Sequence, residues 1–402
     1  MVSAAVKTRR YSFAELDRTL AEVSTRLAGT TAERERERIL LHRPVQLLVE
    51  AGLGVIRVPV EFGGLGGSLE DLFERLIDLA SVDPNLAHVF RGHIGFVEWL
   101  QVHPDRVLAQ AWFERVATGV LVGNAQSERS TEAALQSTVT RTPAGLRLDG
   151  TKYYTTGSMY SDWIQLSALL DGTPVTVLVD AAHSGVASVD DWDGFGQPLT
   201  GSGTTTFVDV PVDEADVTSI GEDTAGGQYV AAVFQLTLLA VIAGIGHSAL
   251  EDTVEFVRPR RRLFGFEGEH RPRDNDVVQL VVGKVSSATD AARRLVLSVS
   301  RDLDNSRDRA TEHTRDELFR AALLDVYRVQ QIAPRLVLDA ATELFEVGGA
   351  SAVSTSIALD RHWRNARTLF AHNPAAQRER AIGEWELNGS FVPWKKSEPK
   401  ES

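Results

Sequence analysis

The chain has 402 residues, 43% hydrophobic and 24% charged, and its 55 acidic against 42 basic side chains give a net charge of −13. That length calls for two or three packed units, and that charge disfavours nucleic acid and anionic membrane surfaces as partners. The absence of cysteine excludes disulfides, thiolate nucleophiles, iron–sulfur clusters and cysteine-ligated zinc.

The first residues, MVSAAVKTRRYSFAELD, lack the apolar core of a signal peptide, so a cytoplasmic location is expected. Apolar residues recur at helical spacing over Phe13 to Leu27, with Ser12 placed to cap them. A second helical pattern runs from Glu33 to Gly52, and its charged start, ERERER, reads as a solvated helix face. A glycine-rich loop, VPVEFGGLGGS at 58–68, leads into helical patterns over Leu69–Val82 and Phe90–Leu100. From about Val120 to Val212 the chain turns to short Val- and Thr-rich runs, such as Leu146–Leu148, Val175–Val179 and Thr204–Val210, between Gly and Asp turns; these predict strands.

Helical periodicity returns over Tyr229–Arg258, Asp276–Asp302, Arg315–Phe345 and Ile357–Leu369. The uncharged run Tyr229 to Gly246 approaches membrane-spanning length, but Gln235 and Thr237 interrupt it and no second span exists. It is read as the core helix of a bundle, with no membrane partner. The expected architecture is α+β: a helical domain at 1–118, a β-barrel-like domain at 119–226, a four-helix bundle at 227–394 and a disordered tail at 395–402. The ten histidines show no metal-binding spacing, so no metal is expected.

Four segments resemble motifs of the acyl-CoA dehydrogenase superfamily. They are Pro59-Val-Glu-Phe-Gly-Gly-Leu-Gly-Gly-Ser68, Leu148-Asp-Gly-Thr-Lys-Tyr-Tyr-Thr-Thr-Gly-Ser158, Arg261-Arg-Leu-Phe-Gly265, and Gly348-Gly349 followed by Leu359-Asp-Arg-His-Trp-Arg-Asn-Ala-Arg367. Each taken alone has a plainer reading. Gly63, Gly64, Gly66 and Gly67 could serve only a turn, Thr155 and Thr156 could be ordinary strand residues, and Arg261 could belong to a solvated helix end.

The resemblance implies a carboxylate that removes the substrate's α-proton. Its usual position falls on Asn373, within Phe370-Ala-His-Asn-Pro374, and the alternative position on the preceding helix falls near Gln235-Leu236. Both places lack an acid, and an amide is no base near neutral pH. The ending Leu359 to Pro374, with His372, is instead similar to the flavin-dependent monooxygenases of this fold, the two-component, dibenzothiophene-type branch. Leu369 departs from that branch, which has a second histidine there, and this points to a different substrate.

The monooxygenase resemblance implies reduced flavin, FADH2 or FMNH2, reacting with O2 through a C4a-hydroperoxide to oxygenate a small apolar, aromatic or heteroaromatic substrate. It implies a separate NAD(P)H:flavin reductase and a homotetramer or homodimer paired through the bundle. It assigns catalysis to His372 first and His93 second, with Asn124 and Ser158 as short donors at the flavin N5 edge and the peroxide. Cofactor contacts are expected from Asn124, Ser127, Tyr154, Thr155, Thr156, Ser158, Trp192, Arg261, Phe264, Gly348 and Gly349. Arg261 and Phe264 hint at FAD, since a forked guanidinium suits a pyrophosphate, and the branch hints at FMN. For His93, His372 and Trp192 the competing reading is ordinary packing. Two rival functions stand beside this one: an acyl-CoA dehydrogenase with a relocated base, and a catalytically silent binding protein of the same fold.

Overall fold

The computed structural model describes residues 11–129, 135–219, 224–262 and 270–392. The amino-terminal part is helical. α1 (Phe13–Leu27) starts where Ser12 Oγ accepts the Glu15 N–H at 3.2 Å. The second helical pattern breaks in two, α2 (Thr31–Glu37) and α3 (His42–Ala51), with Arg38 between them in the left-handed region. α4 (Leu69–Val82) begins with a reciprocal cap between Ser68 and Asp71. α5 (Pro84–Val89) is capped by Asp83, and α6 (Arg91–Val102) and α7 (Arg106–Val116) follow. In the glycine-rich loop only Gly63 and Gly66 adopt positive φ; Gly64 is needed because a Cβ there would lie 2.0 Å from the Val58 carbonyl.

The ERERER run is not a simple solvated face. Arg34 is buried against Asp83 at 2.7 Å, and Glu35 Oε1 accepts from the amides of Asn85 and Asn365 at 2.9 and 2.7 Å. One turn of α2 therefore takes two adjacent charges, Arg34 and Glu35, into the protein by giving each a partner, which periodicity alone does not reveal.

The middle of the chain forms one sheet from β1 (Val122–Ala125), β2 (Thr138–Thr142), β3 (Gly145–Lys152), β4 (Trp163–Leu170), β5 (Thr173–Asp180), β6 (Val186–Val189), β7 (Thr204–Val212) and β8 (Val217–Ser219). The spatial order is β6-β7-β3-β2-β4-β5-β8, with β1 parallel to β4. Its inward residues, among them Leu148, Ile164, Leu166, Val177 and Phe207, make a core separate from that of the helices.

Five helices complete the fold: α8 (Thr224–Val257), α9 (Asp276–Asp308), α10 (Arg315–Glu343), α11 (Asp360–Ala371) and α12 (Ala375–Asn388). α8 packs against α4, α6, α9, α10 and α11, which explains a sequence apolar on every side. It is the one described helix long and apolar enough to cross a membrane, and 83% of its most apolar stretch is buried within the protein. A buried polar network ties the halves together. Arg57 Nε donates to Glu98 at 2.6 Å and Arg57 Nη2 to Asp304 at 2.8 Å, while the Tyr229 hydroxyl donates to Glu98 at 2.5 Å. The expected tail lies outside the described residues.

Candidate active site

The carboxyl end of α11 meets the first turns of α8 near His372. Asn373 Nδ2 donates to Gln235 Oε1 at 2.6 Å, and Gln330 Nε2 of α10 donates to the Asn373 carbonyl at 3.4 Å. The two positions at which the dehydrogenase resemblance implies an acid thus touch each other across 138 residues of sequence, and both are amides. Neither can take a proton from carbon at neutral pH.

Beside this pair stand His372, His88 and Arg91. His372 follows α11, with its surface open to solvent while protein surrounds it, as for a group lining a cleft. Burial and the positive charge of Arg91 push its pKa down to about 3, against a hydrogen bond with Asn373. His88 is buried on α5, with Nδ1 3.0 Å from Gln197 Oε1 and Nε2 buried without a partner. Its pKa falls to about 3 through burial, then through the charges of Arg91 and His372. For both imidazoles burial, and after it the positive charge of Arg91, favours the neutral form.

Arg91 opens α6 and is buried. Its Nε donates to the Phe234 carbonyl at 3.2 Å, and its guanidinium lies 4.7 Å from the Phe234 ring centre. Phe234 comes this close because Gly95 faces it; a Cβ there would lie 2.1 Å from the ring.

His93 is held differently. Nδ1 accepts the Val122 N–H at 3.1 Å, which fixes the proton on Nε2, and Nε2 lies 2.8 Å from the Gly54 carbonyl. Burial lowers its pKa to about 4. With both nitrogens on backbone groups, His93 ties the 53–55 turn to β1 and offers nothing to a substrate. Sequence reasoning chose His93 and missed His88, Arg91 and Gln197. The i, i+3 spacing of His88 and Arg91 was the available signal.

Asn124 and Ser158 come together at the edge of the sheet. Ser158 Oγ is 3.5 Å from the Asn124 carbonyl, and the Asn124 Oδ1 is buried with no partner. The backbone is tight around them. A Cβ on Gly92 would lie 2.9 Å from Asn124 Cβ, and one on Gly123 would lie 2.9 Å from Ser158 Oγ. An orphaned amide acceptor beside bare backbone fits the edge of a planar ring carrying N–H groups, such as a reduced flavin.

The other expected contacts divide. The Thr155 hydroxyl bonds Gly203 O at 3.0 Å and Thr205 Oγ1 at 2.8 Å, so its side chain belongs to the sheet interior. Thr156 Oγ1 joins a hydroxyl chain through Ser202 to Thr200, each link 2.7 Å. Tyr154 has positive φ and stands edge-on to Trp192 at 5.9 Å, and Trp192 Nε1 donates to Gly196 O at 3.0 Å. Ser127 is exposed and contributes its carbonyl to a bridge with Tyr153.

Arg261, Gly348 and Gly349 sit elsewhere. Arg260 bonds the Gly348 carbonyl at 3.4 Å beyond the far end of α8. The 22 residues from Gln235 to Val257 span roughly 33 Å of helix, so this cluster cannot share a ligand-contacting edge with His372 in the same subunit. Phe264 lies outside the described residues. Among those residues no group of three metal-binding side chains occurs.

Comparison with known proteins gives the same picture. Residues 236–377 match the acyl-CoA dehydrogenase C-terminal domain family. Dibenzothiophene monooxygenase of Rhodococcus qingshengii is 27% identical over 386 residues, covering 90% of this chain and 89% of that one. A probable FMNH2-dependent monooxygenase, SfnC, of Pseudomonas putida is 27% identical over 375 residues, covering 91% and 93%. The FMN-bound crystal structure of TdsC from Paenibacillus sp. A11-2 superposes with a TM-score of 0.86 at 26% identity, covering 94% of this chain and 98% of that one. The fold is that of the acyl-CoA dehydrogenases, and these relatives are flavin-dependent monooxygenases.

Proposed function

We infer that this chain is the oxygenase component of a two-component monooxygenase that uses reduced flavin and O2 to oxygenate a small sulfur-containing or aromatic substrate. The observation that carries this is the hydrogen bond between Asn373 and Gln235. Amides occupy both places where a desaturating relative would need an acid. Glu35, a buried carboxylate, reaches this region only through Asn365 and Gln197, so it does not supply a relocated base.

Asn124 and Ser158 would hold the flavin edge, with Gly92 and Gly123 letting the backbone close up on these two side chains. Bound reduced flavin supplies the two electrons that activate O2, at its C4a atom in this reading. The chain's own part is to exclude water and place protons. The unpartnered Nε2 of His88 and the imidazole of His372 are the groups available to take or give a proton at the substrate. FMN is the flavin of choice, on the strength of the FMN-using relatives. A separate NAD(P)H:flavin reductase and a homotetramer paired through the α8–α11 bundle complete the proposal.

The test is turnover with a flavin reductase, NADH, FMN and 18O-labelled O2 over a panel of sulfur-containing and aromatic compounds. The expected result is a product carrying one labelled oxygen atom. Desaturation of an acyl thioester with reduction of a bound flavin, and no label in any product, would overturn it.

A further inference from the structure

Two arginines as buried as Arg91 are given carboxylates. Arg34 has Asp83 at 2.7 Å, and Arg57 has Glu98 at 2.6 Å and Asp304 at 2.8 Å. Arg91 is equally buried and has none. Its Nε is bound by the Phe234 carbonyl and its face rests on the Phe234 ring, but among the described residues no acceptor meets either terminal Nη group. Its pKa falls to about 10 through burial alone, which leaves it charged at any working pH. A buried cation without a counter-charge is costly, and it persists where a ligand brings the missing charge.

The surroundings suit such a ligand. The Nε2 of His88 is buried without a partner, a second polar atom in want of one. His372 lies within electrostatic reach of both His88 and Arg91. Among the described residues no carboxylate competes for the guanidinium. Phe234, whose ring already lies against the guanidinium, offers an aromatic wall.

We propose that Arg91 is the seat of a small organic anion, and that the substrate is an arene or alkyl sulfinate or carboxylate rather than a neutral heteroaromatic. Two oxygens on one centre match the two outward N–H groups of a guanidinium. The anion would also offset the positive field that, after burial, lowers the pKa of His88 and His372, and so raise both values. The inference relies on the oxygenase reading for the fate of the anion, but its seat can be measured without flavin or O2.

The experiment is calorimetric titration of the full chain, free of flavin, with benzenesulfinate and benzoate, against the neutral methyl phenyl sulfone and benzamide. The expected result is binding of an anion at least about tenfold tighter than its neutral counterpart. Arg91→Gln should abolish that preference, and Arg91→Lys should keep most of it. Equal binding of charged and neutral compounds, or a preference that survives Arg91→Gln, overturns the proposal. So does a loss of reduced-FMN affinity in Arg91→Gln with no anion binding to the wild type, because the guanidinium would then serve the flavin. If Arg91→Gln fails to fold, the wild-type comparison and Arg91→Lys decide. Anion binding without any oxygenation would sink the proposed function and leave the seat standing.

Discussion

Three buried histidines make the protein acid-sensitive before its carboxylates do. His88 is held at about 3, and His93 and His362 at about 4, against 6.5 for a free imidazole, in each case first by burial. The folded pKa values are lowered, so the unfolded chain takes up these protons first as pH falls. The stability is fully present above about pH 6.5 and is lost progressively down towards about pH 4. At about pH 5.5, one unit below the unfolded value, each histidine costs about 1.4 kcal/mol and the three together about 4. Carboxylates whose pKa is raised by burial, Glu35 and Asp304, work the other way and make that figure a ceiling. His372 is left out because its surface is open to solvent. Urea unfolding at about pH 7.5 and about pH 5.5 measures the drop. In a His88→Gln, His93→Gln double variant the drop should shrink by about two-thirds. A stability that is flat or rising towards pH 5.5, or a drop unchanged in the double variant, would refute the reasoning.

Further outcomes follow from single positions. His372→Ala should lower product formation by about a hundredfold or more while leaving the melting temperature nearly unchanged, since its side chain lines a cleft rather than a core; equal turnover would remove its proton role. Gly92→Val should weaken reduced-FMN binding by about tenfold in a fluorescence titration, because its Cβ would press on Asn124 at 2.9 Å. Arg57→Ala should cost about 3–5 kcal/mol in urea unfolding, since it strands the buried Glu98 and Asp304.

The architecture was legible where periodicity and caps are local. Phe13–Leu27 with its Ser12 cap and Leu69–Val82 form as their spacing predicts, and the uncharged run around Gln235 is the central helix of the bundle. Three helices went unread: Pro84–Val89, too short to show a periodicity, and Arg106–Val116 and Ala375–Asn388, whose apolar stripes are weak. The ERERER run misled because its partners, Asp83 and Asn365, lie 49 and 330 residues away from the side chains they bind. The site was half legible. Motif spacing pointed to Asn373 and to Gln235 separately, but their contact depends on how α11 crosses α8. His93 looked functional by position, yet its nitrogens serve Val122 and Gly54. His88 and Gln197 carry no motif; they matter because a loop in left-handed conformation at Gln197 reaches across to α5.

The most direct test of oxygen chemistry at an acid-free flavin site is rapid mixing of the protein and chemically reduced FMN with O2 in a stopped-flow spectrophotometer. The account predicts transient absorbance of a C4a–oxygen adduct that outlives the same species in free FMN and decays faster when substrate is present. Oxidation of the flavin at the rate seen without protein, with no transient, would contradict it.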